Sequence, residues 1–274
     1  MLQKLLKNKL TILGFAIIAA FIIMALFARS LTPYSPNQID LAHRLTEPNR
    51  NHLLGQDNLG RDILSRIIYG SRISLWVGFS TITVSAFIGF LLGSLAGYYG
   101  GWIDELIMRL VDILMAFPGI LLAIALMAVL GPSLNNVILT LCLIGWVGYA
   151  RLIRGQVLFL RETEFVLSAK ALGLGSLRII FRHLLPNVLG PLIVQATFGM
   201  AGNIVAEAGL SFLGLGVQPP TPSWGAMLNE GRSVLLNTPH LTTFPGLAIM
   251  FIVLGFNFIG DGLRDAVDPK MKMY

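Results

Sequence analysis

Residues 113–150 have the sequence ILMAFPGILLAIALMAVLGPSLNNVILTLCLIGWVGYA, 38 residues without one charged side chain. As a single helix they would extend about 57 Å, nearly twice the roughly 30 Å hydrocarbon core of a bilayer. Gly131, Pro132 and Ser133 lie near the middle and are followed by Asn135 and Asn136, residue types that favour a turn. The stretch therefore predicts two membrane crossings joined by a tight connection.

The composition of the whole chain indicates an integral membrane protein. Hydrophobic residues make up 55% of its 274 residues, charged residues make up 12%, and the mean hydropathy is +0.74. These values lie far outside the range of soluble proteins. Four further uncharged runs bring the expectation to six transmembrane helices in an all-α fold. The predicted helices span residues 10–28, about 73–97, 113–130, 136–150, 187–207 and 241–260.

The distribution of basic residues predicts that both termini are cytoplasmic. Lys and Arg are retained on the cytoplasmic side near helix ends, and 13 of the 20 basic residues fall on that side of the predicted topology. They include Lys4, Lys7 and Lys9 before the first helix, and Lys270 and Lys272 after the last. Topology thus accounts for most of the net charge of +6 without a nucleic-acid partner. The predicted segments are the cytoplasmic tails 1–9 and 261–274, the external loops 29–72 and 208–240, and the cytoplasmic loop 151–186, with residues 73–274 as the core.

The cytoplasmic loop contains a polar, basic insertion between two apolar runs, TEFVLSAKALGLGSLRIIFRHLLP at residues 163–186. An apolar stripe of a first helix is predicted at Phe165, Ala169 and Leu172. Gly173 and Gly175 are expected to end that helix, and Ser176 is a candidate cap for a second one. Pro186 is expected to end the second helix before the chain re-enters the membrane. This pattern of helix, turn and helix predicts a docking element rather than a simple connector.

Motifs for self-contained chemistry are absent from the sequence. It contains no GxxxxGK[ST] phosphate loop, no HExxH zinc motif and no GxSxG nucleophile elbow. His43, His52, Asp57 and Asp62 are possible metal ligands in the first external loop, but their irregular spacing favours a hydrogen-bonded loop. The single cysteine, Cys142, cannot form an internal disulfide. The sequence thus indicates neither a catalytic centre nor a bound cofactor.

Polar uncharged residues occur inside the fifth predicted helix. Gln195, Thr197 and Asn203 either line a hydrated path or hydrogen-bond neighbouring helices. Glu207 lies at the predicted outer end of this helix, where water is expected to reach it. The absence of a carboxylate from the middle of the predicted helices argues against a secondary transporter driven by protons or sodium. Close helix packing is predicted at three glycines of the second helix, spaced every four residues: Gly89, Gly93 and Gly97.

Residues 163–186 resemble the EAA loop of ABC importer permeases, whose pattern is E-A-A, three residues, Gly, nine residues and I-x-L-P. Gly173 aligns with the glycine of that pattern, and HLLP at residues 183–186 aligns with its end. Leu167 occupies the glutamate position, and the nearest acidic residue, Glu164, lies about one helical turn earlier and is the candidate for the acidic contact. Further segments are similar to the C-type subunit of the peptide and nickel branch: HLLG at 52–55, GRD at 60–62, YGSR at 69–72, SFLGLG at 211–216, PSWG at 222–225 and GDGLRD at 260–265.

The resemblance implies a type I importer permease that pairs with a related B-type subunit in the cell membrane of a bacterium or archaeon. Two cytoplasmic ATPases would bind ATP and Mg²⁺, and an extracytoplasmic binding protein would deliver the substrate, so this chain would not itself be an enzyme. Di- or oligopeptides are the expected substrates. The alternatives are nickel or a metal chelate within the same family, and a self-contained secondary transporter as a different class.

The resemblance also implies two groups of functional residues, and the polar residues of the fifth predicted helix supply a third. ATPase docking is expected at Arg161, Glu164, Phe165, Ala169, Lys170, Ala171, Leu172, Gly173, Leu174, Gly175 and Pro186. Contacts with the binding protein are expected at Arg61, Asp62, Pro219, Pro220 and Trp224. The translocation path is expected at Gln195, Thr197, Asn203 and Glu207.

Overall fold

The computed structural model describes residue 5 and residues 8–267, which form helices and connecting turns with no β-strand in this part of the chain. The predicted all-α fold class is confirmed. Lys4, Lys7, Lys270 and Lys272, used above for the topology, lie outside the described residues. The helices that organise the fold are α1 Lys9–Leu26, α2 Ile63–Tyr99, α3 Gly101–Met115, α4 Gly119–Leu130, α5 Leu134–Leu160, α6 Glu164–Ala171, α7 Ser176–Phe212, α8 Trp224–Gly231 and α9 His240–Val267.

Five of these helices, α1, α2, α5, α7 and α9, are long and apolar enough to cross a bilayer. α3 and α4 make a sixth span if they are counted together, although they meet at an angle of 86°. α4 has only 12 residues, about 18 Å of helix, so the third crossing is not the continuous helix predicted at 113–130. Pro118 explains the break, because proline lacks an N–H and disfavours a helical conformation at the preceding residue.

α2 begins at Ile63, ten residues before the predicted start at residue 73. Asp62 caps this end, since its carboxylate accepts a hydrogen bond from the Ser65 N–H at 2.8 Å. The first turns of α2 contain Arg66 and Arg72. A span predicted from hydropathy alone is interrupted by such charges, and the predicted helix therefore begins only after Arg72. The predicted external loop 29–72 is therefore ten residues shorter, because its last part is helical.

α5 continues to Leu160 rather than ending at the predicted residue 150. Its last turns carry Arg151 and Arg154, whose guanidinium groups lie 2.6 Å and 2.5 Å from Asp112 and Asp104 of α3. These ion pairs hold α3 against α5. They also compensate the charges of Arg151 and Arg154, which follow the uncharged run that ends at residue 150. The predicted connecting loop 151–186 is correspondingly shorter.

The glycine face of α2 brings α2 and α5 into close contact. A Cβ at Gly93 would lie 2.5 Å from the carbonyl oxygen of Ala150, and Gly89 and Gly97 make similarly close approaches one turn before and after it. The contacts advance in the same direction along both helices, so α2 and α5 are parallel and their C-terminal ends lie together. The close packing predicted from these three glycines is confirmed.

α7 runs antiparallel to α2. Phe90 of α2 packs on Phe181, with ring centres 5.7 Å apart, and Ser74, four turns earlier in α2, contacts Glu207 near the other end of α7. The segment between α5 and α7 therefore lies at one end of the bundle. Residues 29–62 and 213–239 lie at the other end.

We expect Gly93→Val to destabilise the protein strongly, because its Cβ would meet the backbone of α5 and would force α2 and α5 apart. Overpacking of this kind costs about 1–3 kcal/mol, or roughly 5 °C in unfolding temperature for a chain of this size. Thermal unfolding of the purified chain in detergent measures the effect. Gly148→Val, on α5 itself but with no atom within 4 Å of the added Cβ, is the control. Equal unfolding temperatures for the two variants would contradict the packing argument.

Candidate functional site

The coupling segment, residues 161–186, begins with α6 and turns at a Schellman motif. The N–H of Gly173 donates to the carbonyl oxygen of Lys170 at 2.9 Å. The N–H of Leu174 donates to the carbonyl oxygen of Ala169 at 3.1 Å, which completes the motif. Gly173 has φ +77°, a left-handed conformation that glycine adopts without steric cost, whereas Gly175 has φ −66°. The structure therefore has the predicted turn and assigns the special backbone conformation to Gly173.

We expect Gly173→Ala to loosen this turn. A left-handed conformation costs a residue with a Cβ about 1–2 kcal/mol, which corresponds to roughly 5- to 30-fold faster exchange of the α6 C-terminal amide hydrogens. Hydrogen–deuterium exchange over residues 163–175 measures this effect. Gly175→Ala and Gly173→Asn are the controls, because alanine accepts the Gly175 backbone and asparagine tolerates the left-handed region. Equal protection of the α6 amide hydrogens in Gly173→Ala and wild type would show that the turn does not depend on the left-handed conformation of Gly173.

One face of α6 packs inside the protein. Val166 and Ala169 are 0% and 4% exposed and belong to one buried cluster with Ile153 of α5 and Ile179 of α7. The predicted ATPase-facing stripe is therefore wrong at Ala169, which faces the core. The spacing of Phe165, Ala169 and Leu172 predicts that they share one face of a helix. Spacing does not show whether that face is covered by the rest of the chain or exposed to a partner.

The opposite face of the coupling segment exposes large apolar side chains. Leu172 is 80% exposed and Leu177 is 67% exposed. Both border a depression of about 640 Å³ that residues 172–178 and Tyr99 line. Exposed apolar groups of this size, gathered in one place, mark sites of contact with another molecule. The apolar turn is defined here as the exposed side chains Phe165, Leu167, Leu172, Leu177 and Phe181.

Charged residues surround the apolar turn. Glu164 and Lys170 are exposed, as is Ala171, and the Lys170 ammonium lies 5.2 Å from the centre of the Tyr98 ring. Arg161 is partly buried and donates to the carbonyl oxygen of Gly97 at 3.0 Å. Arg161 thus ties the coupling segment to the end of α2, whereas Glu164 and Lys170 remain available to a partner.

The second part of the coupling segment is continuous with a spanning helix. Residues 176–212 form one helix, with a π-helical turn at Ile180–Leu184. The expected helix end at Pro186 is therefore wrong. Pro186 lies two residues after the end of the π-helical turn, where the altered hydrogen-bond pattern accommodates a residue without an N–H. The second part of the coupling segment and the candidate span are therefore parts of the same helix.

At the other end of the molecule, four charged side chains form a buried cluster. Arg61 Nε lies 2.7 Å from Asp57 Oδ2, and Arg61 Nη2 lies 2.7 Å from Glu230 Oε2. Arg66 Nη1 lies 2.6 Å from the same Glu230 oxygen and also contacts Asp57. The cluster joins the loop before α2 to α8. Sequence reasoning missed Glu230, because 164 residues separate it from Arg66 and no local pattern marks the pair.

Three of the residues predicted to contact the binding protein are buried in this region. Arg61, Asp62 and Trp224 are 4%, 2% and 0% exposed. Asp62 caps α2, and the Trp224 Nε1–H donates to the carbonyl oxygen of Ile67 at 3.0 Å. Their predicted contact role is wrong for this arrangement, since each is occupied within the chain. Pro219 and Pro220 are exposed, as that role requires.

The residues predicted to line the translocation path differ in exposure. Gln195 is exposed, and Thr197 and Asn203 are half-buried. Glu207 is fully buried and accepts a hydrogen bond from the Ser211 hydroxyl at 2.8 Å. The expectation that water reaches Glu207 is wrong, because neighbouring helices enclose it.

The histidines and aspartates of the first external loop form hydrogen bonds instead of a metal site. His43 Nδ1 donates to Asp40 at 2.8 Å, which lowers the pKa of the Asp40 carboxyl. His52 Nδ1 lies 2.9 Å from Asp62. Within residues 8–267, no group of three or more potential metal-ligating side chains comes together. His43 and His52 therefore take part in the hydrogen-bonded loop that the irregular spacing of these residues favours.

This bundle of five or six apolar spans has the fold of a membrane subunit of a type I ABC importer, since it matches a chain of a solved ABC importer. The chain belongs to the family of binding-protein-dependent transport system inner membrane components, whose sequence profile matches residues 89–273. Residues 1–48 match the N-terminal transmembrane domain of oligopeptide transport permease C. The resemblance seen in the sequence is confirmed.

Two sequence relatives and one solved structure are similar to this chain. The chain is 52% identical to the dipeptide transport system permease protein DppC of Alkalihalophilus pseudofirmus, over 98% of this chain and 89% of that protein. It is 45% identical to the glutathione transport system permease protein GsiD of Pectobacterium atrosepticum, over 98% and 90%. Its fold matches a chain of the inward-facing MetNI methionine ABC transporter with a TM-score of 0.61 and 20% identity, over 75% of this chain and 98% of that one.

Proposed function

We propose that the chain is the membrane-spanning subunit of an ATP-driven importer of di- or oligopeptides in the bacterial cell membrane. The apolar turn is the observation that carries the proposal, because it is exposed and lies at the start of a helix that is long and apolar enough to cross the membrane. The names of the dipeptide and glutathione permeases support a peptide as substrate, since glutathione is itself a small peptide.

In the proposed mechanism, two cytoplasmic ATPase subunits bind ATP and Mg²⁺ and supply the energy, and this chain converts their closure into movement of its helices. Leu172 and Phe165 insert into a cleft of one ATPase, with Glu164 and Lys170 at the rim of the contact. The Schellman motif and the buried face of α6 keep this element rigid. Force on it reaches α7, where Gln195 and Asn203 border the substrate path, whereas Thr197 lines an apolar groove between α1, α2, α7 and α9.

The proposal needs two further partners. A related B-type permease subunit forms the other half of the path, as the resemblance to the C-type subunits of this family implies. A substrate-binding protein docks on the external end, where Pro219 and Pro220 are exposed. The coupling segment and both termini are then cytoplasmic, in agreement with the distribution of basic residues.

Uptake by reconstituted vesicles tests the proposed function. The vesicles contain this chain, a B-type subunit and both ATPases, with binding protein and labelled dipeptide outside and ATP inside. We expect accumulation of peptide that requires ATP and every subunit. Accumulation by this chain alone, without ATP, would reject the importer and identify a secondary transporter.

A further inference from the structure

An open apolar groove lies between α1, α2, α7 and α9, outside the coupling segment and the charged cluster. Its volume is about 660 Å³. Trp76 and Phe79 form the α2 wall, Ile22 and Leu26 form the α1 wall, and Thr197 and Met200 contribute from α7. Trp76, Phe79 and Leu26 are 58%, 63% and 73% exposed, so none of the residues that the structure describes covers the groove.

Among the residues that the structure describes, Arg72 is the one charged residue that lines the groove, and it lies at one end of the α2 wall. It is exposed, and no carboxylate of the described residues lies within 4.0 Å of it. Its guanidinium lies 6.0 Å from the centre of the Tyr69 ring, which holds it against α2. Arg72 also directly precedes the uncharged run 73–103. Its position is therefore that of a cation at the boundary between hydrocarbon and headgroups.

The dimensions of the groove match one leaflet of a bilayer. From Arg72 to Thr83, the last residue of the α2 wall, the helix rises about 16 Å. Half of a typical hydrocarbon core is about 15 Å. A cation at the mouth of an apolar groove of this length complements an amphiphile with an anionic head and an acyl chain.

We propose that this groove binds an anionic phospholipid, with its phosphate on Arg72 and one acyl chain along Trp76 and Phe79. Arginine suits this contact, because its planar guanidinium donates two parallel hydrogen bonds to phosphate oxygens. The bound lipid would fill the space between α1 and α2 and seal α1 to the bundle. The proposal depends on the groove alone and not on the transported substrate.

Quenching of Trp76 fluorescence by brominated lipid tests the proposal. The full chain is reconstituted in phosphatidylcholine vesicles that contain, at equal mole fraction, either phosphatidylglycerol or phosphatidylcholine with brominated acyl chains. A parallel Trp76→Phe sample identifies the Trp76 signal by difference. We expect quenching equivalent to about fivefold enrichment of phosphatidylglycerol at the groove, the preference that one basic side chain gives near an anionic lipid.

Variants at Arg72 separate the proposed site from general lipid contact. Arg72→Gln should abolish the preference for phosphatidylglycerol, Arg72→Lys should keep part of it, and Arg29→Gln, at an exposed arginine outside the groove, should leave it unchanged. Equal quenching by the two lipids, or a preference that persists in Arg72→Gln, would overturn the proposal. Absence of quenching by either lipid would also overturn it and would show that protein covers the groove.

Discussion

Leu172→Asp is expected to abolish association with the ATPase subunits and to reduce peptide uptake to background. Leu172 is 80% exposed at the centre of the apolar turn, so the substitution leaves the free chain folded. In the complex the new carboxylate would lose its water without gaining a partner, at a cost of several kcal/mol. Since about 1.4 kcal/mol is tenfold in Kd, we expect at least a roughly 100-fold weaker contact. Co-purification with the co-expressed ATPases measures it.

Leu236→Asp is the matched control for this experiment. Leu236 is 97% exposed but lies at the opposite end of the bundle, between α8 and α9. We expect Leu236→Asp to co-purify with the ATPases as well as wild type does. Ala169→Asp would be a poor test, because Ala169 is buried and its replacement disturbs the core. Retention of the ATPases by Leu172→Asp would show that the apolar turn is not the docking surface.

Hydropathy predicts the apolar spans well but cannot locate ends that depend on distant partners. The uncharged run beginning at residue 10 corresponds closely to α1. α2 begins ten residues earlier than its run, because the charge of Arg66 is compensated by Asp57 and by the distant Glu230. The bend at Pro118 is also hidden, since uncharged residues flank it on both sides.

Local rules predict the turn of the coupling segment better than its orientation. Glycine at residue 173 identifies the turn, since only glycine adopts its backbone conformation without cost. The same rules do not distinguish the face of Val166 from that of Phe165, because both are apolar and only one is covered by α5 and α7. Glu207 illustrates the same limit, since its nearness to a helix end does not reveal that Ser211 and Ser74 enclose it.

Glu230→Gln is expected to cause a large loss of stability, because it removes one of two carboxylates that neutralise two buried arginines. The side chains of Arg66 and Arg61 are 2% and 5% exposed, so neither charge can return to water without opening the structure. Breaking a buried ion pair by removing one partner costs about 3–5 kcal/mol. For a chain of this size that corresponds to a decrease of roughly 10 °C in unfolding temperature.

A double variant separates an uncompensated charge from a merely lost contact. Arg66→Met combined with Glu230→Gln leaves Asp57 and Arg61 as a neutral pair, since one charge of each sign has been removed. If buried charge is the cause, the double variant should recover at least half of the stability that Glu230→Gln loses. A loss equal to the sum of the two single variants would instead mean that each side chain contributes independently. Such additivity would contradict a role for the cluster as one electrostatic unit that joins α2 to α8.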